Sequence, residues 1–263
     1  MSCNLICSHS TKPHFQCLAY FMLTPNVTGG LFWHWQAWRS AALWRPTVDA
    51  LEVWLKQQTK DTRSDALVII GASAGWMMPI GCLCQFKEVH TFDIDPLAAP
   101  LFRWRHGKKL RSVGTALTCH TQNALSDLPS LLKAHPQACI FFDNVLGQLR
   151  FTESGVQVAE KNISQIVQCL KGREWGSVHD RMSGPVNGAL KLGADDKALC
   201  PERPGHLDKS DDAQTWLSSI NAQSPWLDHL TGNVFDKNTT VQNMAWAFKP
   251  NYWHWLQAGW VKP

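Results

Sequence analysis

The 263-residue chain has no C-x-x-C pair, and its nine cysteines (3, 7, 17, 82, 84, 119, 139, 169 and 200) are odd in number and irregularly spaced. That excludes a disulfide framework and suits reduced thiols. Cys3, Cys7, His9, His14 and Cys17 match no usual zinc spacing, so no metal is expected. No apolar run reaches the ~18 residues that a membrane span needs. The apolar stretch from Cys17 to Leu23 is short and lacks a small-residue cleavage site after it. A cytoplasmic protein without a membrane partner is therefore expected, and the sequons at Asn26, Asn162 and Asn238 are chance matches. Charge is also sparse, at 17% charged residues and a net +4. The one basic cluster, from Arg103 to Arg111, reads as a solvated helix end, so nucleic acid is not expected as a partner.

Tyrosine is scarce, two residues against fourteen tryptophans. Five tryptophans fall between Trp33 and Trp54 and four between Trp246 and Trp260. Buried area explains most aromatic clusters, so these read as packing seams that hold the chain ends to the main body. The sharper reading is an aromatic-lined substrate pocket. His34 and His254, set among the tryptophans, read as packing partners.

Residues 1–60 form a tryptophan-rich N-terminal extension with two helices expected, 31–45 and 48–58, interrupted at Pro46 and with Thr47 as a cap. Strand-like runs then alternate with helical ones: 66–71, 89–95, 116–122, 138–145 and 174–181. Helices are expected between them. The alternation predicts an α/β domain over 61–263, with a doubly wound, mostly parallel sheet. Residues 183–227, rich in Pro and Gly and with a short helix near 211–220, read as a lid. Two apolar runs, 241–248 and 253–261, flank Lys-Pro-Asn-Tyr and predict a closing hairpin.

In an open parallel sheet, ligands sit beyond the carboxyl ends of the strands. Here every such end is polar or exposes backbone: Gly71-Ala72-Ser73-Ala74-Gly75, then Asp93 and Asp95, then Asn123-Ala124, then Asp143-Asn144, then His179-Asp180. Small residues in the first loop let backbone N–H groups and a helix N-terminus approach a ligand. An acid about twenty residues further, at the end of the next strand, can accept ribose hydroxyls. Asp93 and Asp95 stand there. Asn123 and the Ala124 N–H can read a base edge.

IIGASAG, TFDIDP and the terminal hairpin resemble the class I S-adenosylmethionine-dependent methyltransferases over residues 66–181 and the chain end. In that family the first loop is commonly [DE]-x-G-x-G-x-G; here Ile69 replaces the acid and Ser73 the central glycine. The resemblance implies a Rossmann-like sheet of seven strands with a C-terminal antiparallel hairpin. It implies S-adenosylmethionine as cofactor, held by Gly71, Ala72, Ser73, Gly75, Asp93, Asp95, Asn123, Ala124 and Asn144. It implies methyl transfer to an unidentified acceptor, such as a small molecule, with Asp143 between cofactor and substrate.

Asp143 reads alternatively as a helix cap. His179-Asp180 reads as a general base or as a structural pair with Arg181 balancing Asp180, and Asp228-His229 as a surface turn. Two other functions compete with methyl transfer. A chain that kept the fold and lost the chemistry would be a binding or scaffold protein. G-A-S-A-G is also G-x-S-x-G, which would make Ser73 the nucleophile of an α/β-hydrolase with Asp143 and His179. Too few strands precede Ser73 for that fold. A nicotinamide enzyme is disfavoured because Trp76 stands where helix and strand should pack closely.

Overall fold

The computed structural model describes residues 29–152, 155–186, 203–204 and 226–263. Helix α1 runs unbroken through Gly30–Thr59, with Pro46 inside it. Two helices were expected, because proline lacks an N–H and its ring crowds the carbonyl four residues back, at Ala42. Packing outweighs that cost. Trp44, Thr47, Leu51, Trp54 and Leu55 line the buried face at helical spacing. Trp44 Nε1 donates to the Phe248 carbonyl at 3.1 Å, and the ring meets Trp246 edge-on at 5.0 Å. Thr47 caps nothing: its hydroxyl donates to the Ala245 carbonyl at 2.8 Å. The extension thus shares one core with the sheet behind it.

The strands follow as β1 (Ala66–Ile70), β2 (Glu88–Asp93), β3 (Ala116–Thr121), β4 (Cys139–Asp143) and β5 (Trp175–Pro185). Helices α2 (Ile80–Leu83), α3 (Ala98–Ser112), α4 (Leu128–Ala134), α5 (Leu149–Thr152) and α6 (Val156–Cys169) lie between them. Beyond β5 come β6 (Arg203–Pro204), β7 (Leu227–Asp228), β8 (Thr240–Lys249) and β9 (Tyr252–Val261). The sheet order is β3-β2-β1-β4-β5-β9-β8-β6, with β7 on β5. The ladders from β3 to β5 are parallel, and β9 and β8 are antiparallel. This is the doubly wound sheet with a closing hairpin that the alternation of runs predicted.

The core lies on both faces of the sheet. Leu67, Ile69, Phe141, Val178 and Leu256 face α1 and α3, while Val68, Ile70, Ile140, Phe142 and Trp175 face α4 and α6. Strands buried on both faces need continuous apolar runs, as ALVII and CIFF supply.

The lid expected over 183–227 falls mostly outside the described residues, as do the helix near 211–220 and the cysteines and histidines before residue 29. Its two flanks are strand: Met182 pairs with Asp228 and Ser183 with Leu227.

Candidate functional site

The strand order reverses at β1, between β2 and β4, and the loop Gly71–Gly75 sits at that switch point. Its backbone explains its composition. Gly71, Ser73 and Gly75 all have positive φ, at 77°, 46° and 65°. A glycine would be unstrained at each of these alternate positions; Ser73 takes the conformation at a cost of about 1–2 kcal/mol. A Cβ on Gly71 would lie 2.6 Å from Val145 Cβ, so the loop is also held tightly against the end of β4.

No long helix follows the loop. The chain turns through the buried Trp76, Met77 and Met78 into the four-residue α2. The expected helix N-terminus at the ligand is therefore not formed, and the loop's own N–H groups are what it offers. Asp93 answers them. Its Oδ2 accepts the Ser73 N–H at 2.7 Å and its Oδ1 the Asp95 N–H at 2.8 Å. Burial nonetheless raises the Asp93 carboxyl above its ordinary range, against the pull of those N–H groups.

Asp143, at the end of β4, is buried on the other side of the loop. Burial pushes its carboxyl up to about 8, with the charge of Asp93 adding to the rise. Gly71 is thus flanked by two carboxyls at the ends of β2 and β4.

Asp95 is not open to a ligand. Its carboxylate accepts the Gly30 N–H at 2.6 Å, the His34 Nε2–H at 2.9 Å and the Leu97 N–H at 2.9 Å. His34 Nδ1 accepts from Trp76 Nε1 at 2.9 Å, which fixes the tautomer. Asp95 therefore anchors α1 to the loop, a role invisible in a D-x-D pattern because its partners lie about sixty residues upstream.

Asn123 is exposed, and its Oδ1 caps the Leu125 N–H at 3.0 Å. With the buried Ala124 it lines a cleft of about 530 Å³ between β3 and α4, walled also by Phe92, His120 and His135. Asn144 turns away from the loop: its amide accepts the Asp180 N–H at 2.8 Å and donates to Asp180 Oδ2 at 3.0 Å.

His179 and Asp180 do not form a pair. Neighbours on a strand point to opposite faces. His179 lies 2.9 Å from the Ser177 hydroxyl and stacks on Phe235 at 5.5 Å, and burial pushes it down to about 3, so it stays neutral. Neither expected pairing forms: Asp180 does not orient His179 as a general base, and Arg181 pairs with Asp228 at 2.7 Å rather than balancing Asp180.

Asp180 faces a cluster that sequence reasoning missed. His254 Nδ1 lies 2.7 Å from Asp180 Oδ1, and His229 Nδ1 lies 3.9 Å from Oδ2. Burial pushes the Asp180 carboxyl up, but the two histidines and the Asn144 amide outweigh it and hold it below its ordinary range. An ionised carboxylate only accepts, so His254 Nδ1 carries the proton. His229 Nδ1 donates to the Gly147 carbonyl at 3.1 Å, leaving Nε2 to accept from Ser183 at 2.8 Å; Ser183 in turn accepts from Tyr252 at 3.2 Å.

The ligating atoms of Asp180, His229 and His254 lie within 4.8 Å of one another, close enough for a metal. One of these contacts is the His254 Nδ1–Asp180 hydrogen bond, and both His229 nitrogens are engaged by Gly147 and Ser183, while His254 Nε2 has no partner. One clue lay in the sequence: His254 is a polar residue in an apolar run, at a position paired across the hairpin with Trp246 and across β5 with Ser183.

Ser73 Oγ accepts from Trp33 Nε1 at 3.0 Å, while His179 is committed to the far face of the sheet. The serine hydrolase arrangement is not assembled.

No family model matches this chain, and no curated protein sequence matches it. Solved structures resemble it in outline. Magnesium protoporphyrin IX methyltransferase from Synechocystis PCC 6803, with bound SAM, is 13% identical; the match covers 96% of this chain and 99% of that one, with a TM-score of 0.46. N-methyltransferase NodS from Bradyrhizobium japonicum WM9, with S-adenosyl-L-homocysteine, is 12% identical over 95% of this chain and 98% of that one, with a TM-score of 0.44. The fold assignment rests on the strand order itself.

Proposed function

We propose that this protein transfers a methyl group from S-adenosylmethionine to an acceptor bound over the ends of β4 and β5. The observation that carries the reading is the loop Gly71–Gly75 at the switch point, in the positive-φ form that G-x-G-x-G encodes, with Asp93 beside it. In this reading the loop N–H groups take the methionine end of the cofactor. Asp93 exchanges its bonds to the loop for bonds to the ribose hydroxyls. Asn123 and Ala124 meet the adenine. Asp143 and Asn144 stand between cofactor and acceptor. Asp95 acts at one remove, by holding α1 against the loop. Methyl transfer needs alignment of the nucleophile with the sulfonium methyl above all, which a rigid strand-end site supplies.

Calorimetric titration with S-adenosylmethionine and S-adenosylhomocysteine, with NAD as control, tests the reading. Micromolar binding of the adenosyl ligands alone is expected. Asp93→Ala should weaken it by about 2 kcal/mol or more, the scale of lost charge-assisted hydrogen bonds. Ser73→Ala should change it only a few-fold, because the hydroxyl points to Trp33. Absence of adenosyl binding in the wild type would make the chain a scaffold that kept the fold and lost the chemistry, with Ile69 and Ser73 as the lost features.

A further inference from the structure

The geometry points to His254, oriented by Asp180, as the general base of an acceptor site for hydroxyl groups carried on aromatic rings. This rests on the methyl-transfer reading and adds the acceptor's chemistry to it. Two buried polar atoms lack partners at one place: His254 Nε2 and Trp246 Nε1. Their residues are 9% and 3% exposed, and their rings are 4.9 Å apart. Buried polar atoms are almost always paired, so an orphaned acceptor beside an orphaned donor marks a place for a ligand with both functions. A hydroxyl has both. It can accept from Trp246 Nε1–H and donate to His254 Nε2.

The tautomer is already set for this. Asp180 Oδ1 accepts a hydrogen bond from His254 Nδ1–H at 2.7 Å, so the lone pair of the neutral ring lies on Nε2. That is the carboxylate–imidazole arrangement in which the far nitrogen abstracts a proton and the carboxylate stabilises the imidazolium.

The walls choose the acceptor. His254 is in ring contact with Trp246, Phe248, Tyr252 and His229, at centroid distances of 4.9, 5.0, 5.6 and 6.0 Å. Such a surround suits a flat apolar body. A phenolic hydroxyl, with a pKa of about 10, is also far easier for an imidazole to deprotonate than an aliphatic alcohol.

The site joins the cofactor loop from two sides. Asn144, next to Asp143, binds Asp180. Trp33 binds Ser73 through Nε1 and stacks on Phe248 at 5.9 Å. In the reaction the phenolic oxygen attacks the sulfonium methyl. The O–C bond forms as the C–S bond breaks, and the electron pair of the latter stays on sulfur. The O–H proton passes to His254 Nε2. The products are an aryl methyl ether, S-adenosylhomocysteine and an imidazolium facing Asp180, which releases its proton to solvent.

The test uses phenol as probe and anisole, which has no O–H, as its control. Nitrogen-15 NMR of labelled histidines should show His254 protonated at Nδ1 and bare at Nε2. Phenol should shift the Nε2 resonance and bind at least tenfold more tightly than anisole. His254→Gln and Trp246→Phe should each weaken phenol at least tenfold and leave S-adenosylhomocysteine affinity unchanged. With S-adenosylmethionine present, anisole should form, and its rate should fall at least about 100-fold in His254→Gln, as loss of a general base predicts. Phenol that leaves Nε2 unshifted, or binds no better than anisole, overturns the acceptor site. Anisole formed at the wild-type rate by His254→Gln, or none formed by wild type with phenol and cofactor both bound, overturns the base. Failure of S-adenosylhomocysteine to bind the wild type instead removes the methyl-transfer reading. The phenol comparison, which needs neither variant nor cofactor, still decides the acceptor site.

Discussion

Asp180→Ala is expected to lose about 3–5 kcal/mol of folding stability at pH 7, because it strands buried donors rather than removing surface charge. The carboxylate is fully buried and accepts from His254 Nδ1 at 2.7 Å, Asn144 Nδ2 at 3.0 Å and, more loosely, Gln148 Nε2 at 3.5 Å. Of those donors His254 is buried, while Asn144 and Gln148 are half-buried. The sign with pH follows from the depressed carboxyl. In the unfolded chain an aspartate titrates near about 3.9. The native state holds the ionised form more tightly, so the contribution is fully present above that value and is lost as pH falls through the folded one. Urea titrations should show wild type and variant far apart at pH 7, with the gap narrowing as pH falls below about 3.9. A difference below about 1 kcal/mol at pH 7 would mean that the cluster is solvated.

The same cluster shows where sequence reading reaches and where it stops. The five parallel strands were legible because each is a short apolar run between turn residues. The end residues Asp93, Asn123, Asp143 and Asp180 fell out of the rule that loops at the carboxyl ends hold ligands. Partner choice was not legible. His179 is adjacent to Asp180 in sequence but on the opposite face, whereas His254 lies 74 residues away and is brought alongside by the antiparallel pairing of β9 with β5. Asp95 looked like the twin of Asp93 until α1 folded back to claim it. Pro46 looked like a helix boundary because local cost is read from sequence, while the burial of Trp44 and Thr47 that offsets it is not. His229, read as part of a surface turn, is buried because β7 pairs with β5 just before it.

Asp143→Asn is expected to stabilise the protein, and increasingly so as pH rises. Burial and the charge of Asp93 push the Asp143 carboxyl up to about 8, so the native state keeps its proton where the unfolded chain has released it. Between about pH 4 and pH 8 wild type therefore loses roughly 1.4 kcal/mol per pH unit from this group, and an asparagine of the same shape loses none. Wild type and variant should coincide near pH 4 in urea titrations and separate by about 2 kcal/mol or more at pH 8. Coincident curves at both values would place Asp143 in contact with water. The same proton offers a signature for the cofactor. S-adenosylmethionine brings a sulfonium cation, which favours the ionised carboxyl; S-adenosylhomocysteine is a neutral thioether and does not. Binding of the first at pH 7 should release a proton, seen as a heat that varies with the ionisation enthalpy of the buffer. Binding of the second should show little dependence on buffer. In Asp143→Asn both ligands should behave alike. Equal proton release by the two ligands in wild type would move the sulfonium away from Asp143 and with it the line of methyl transfer toward β5.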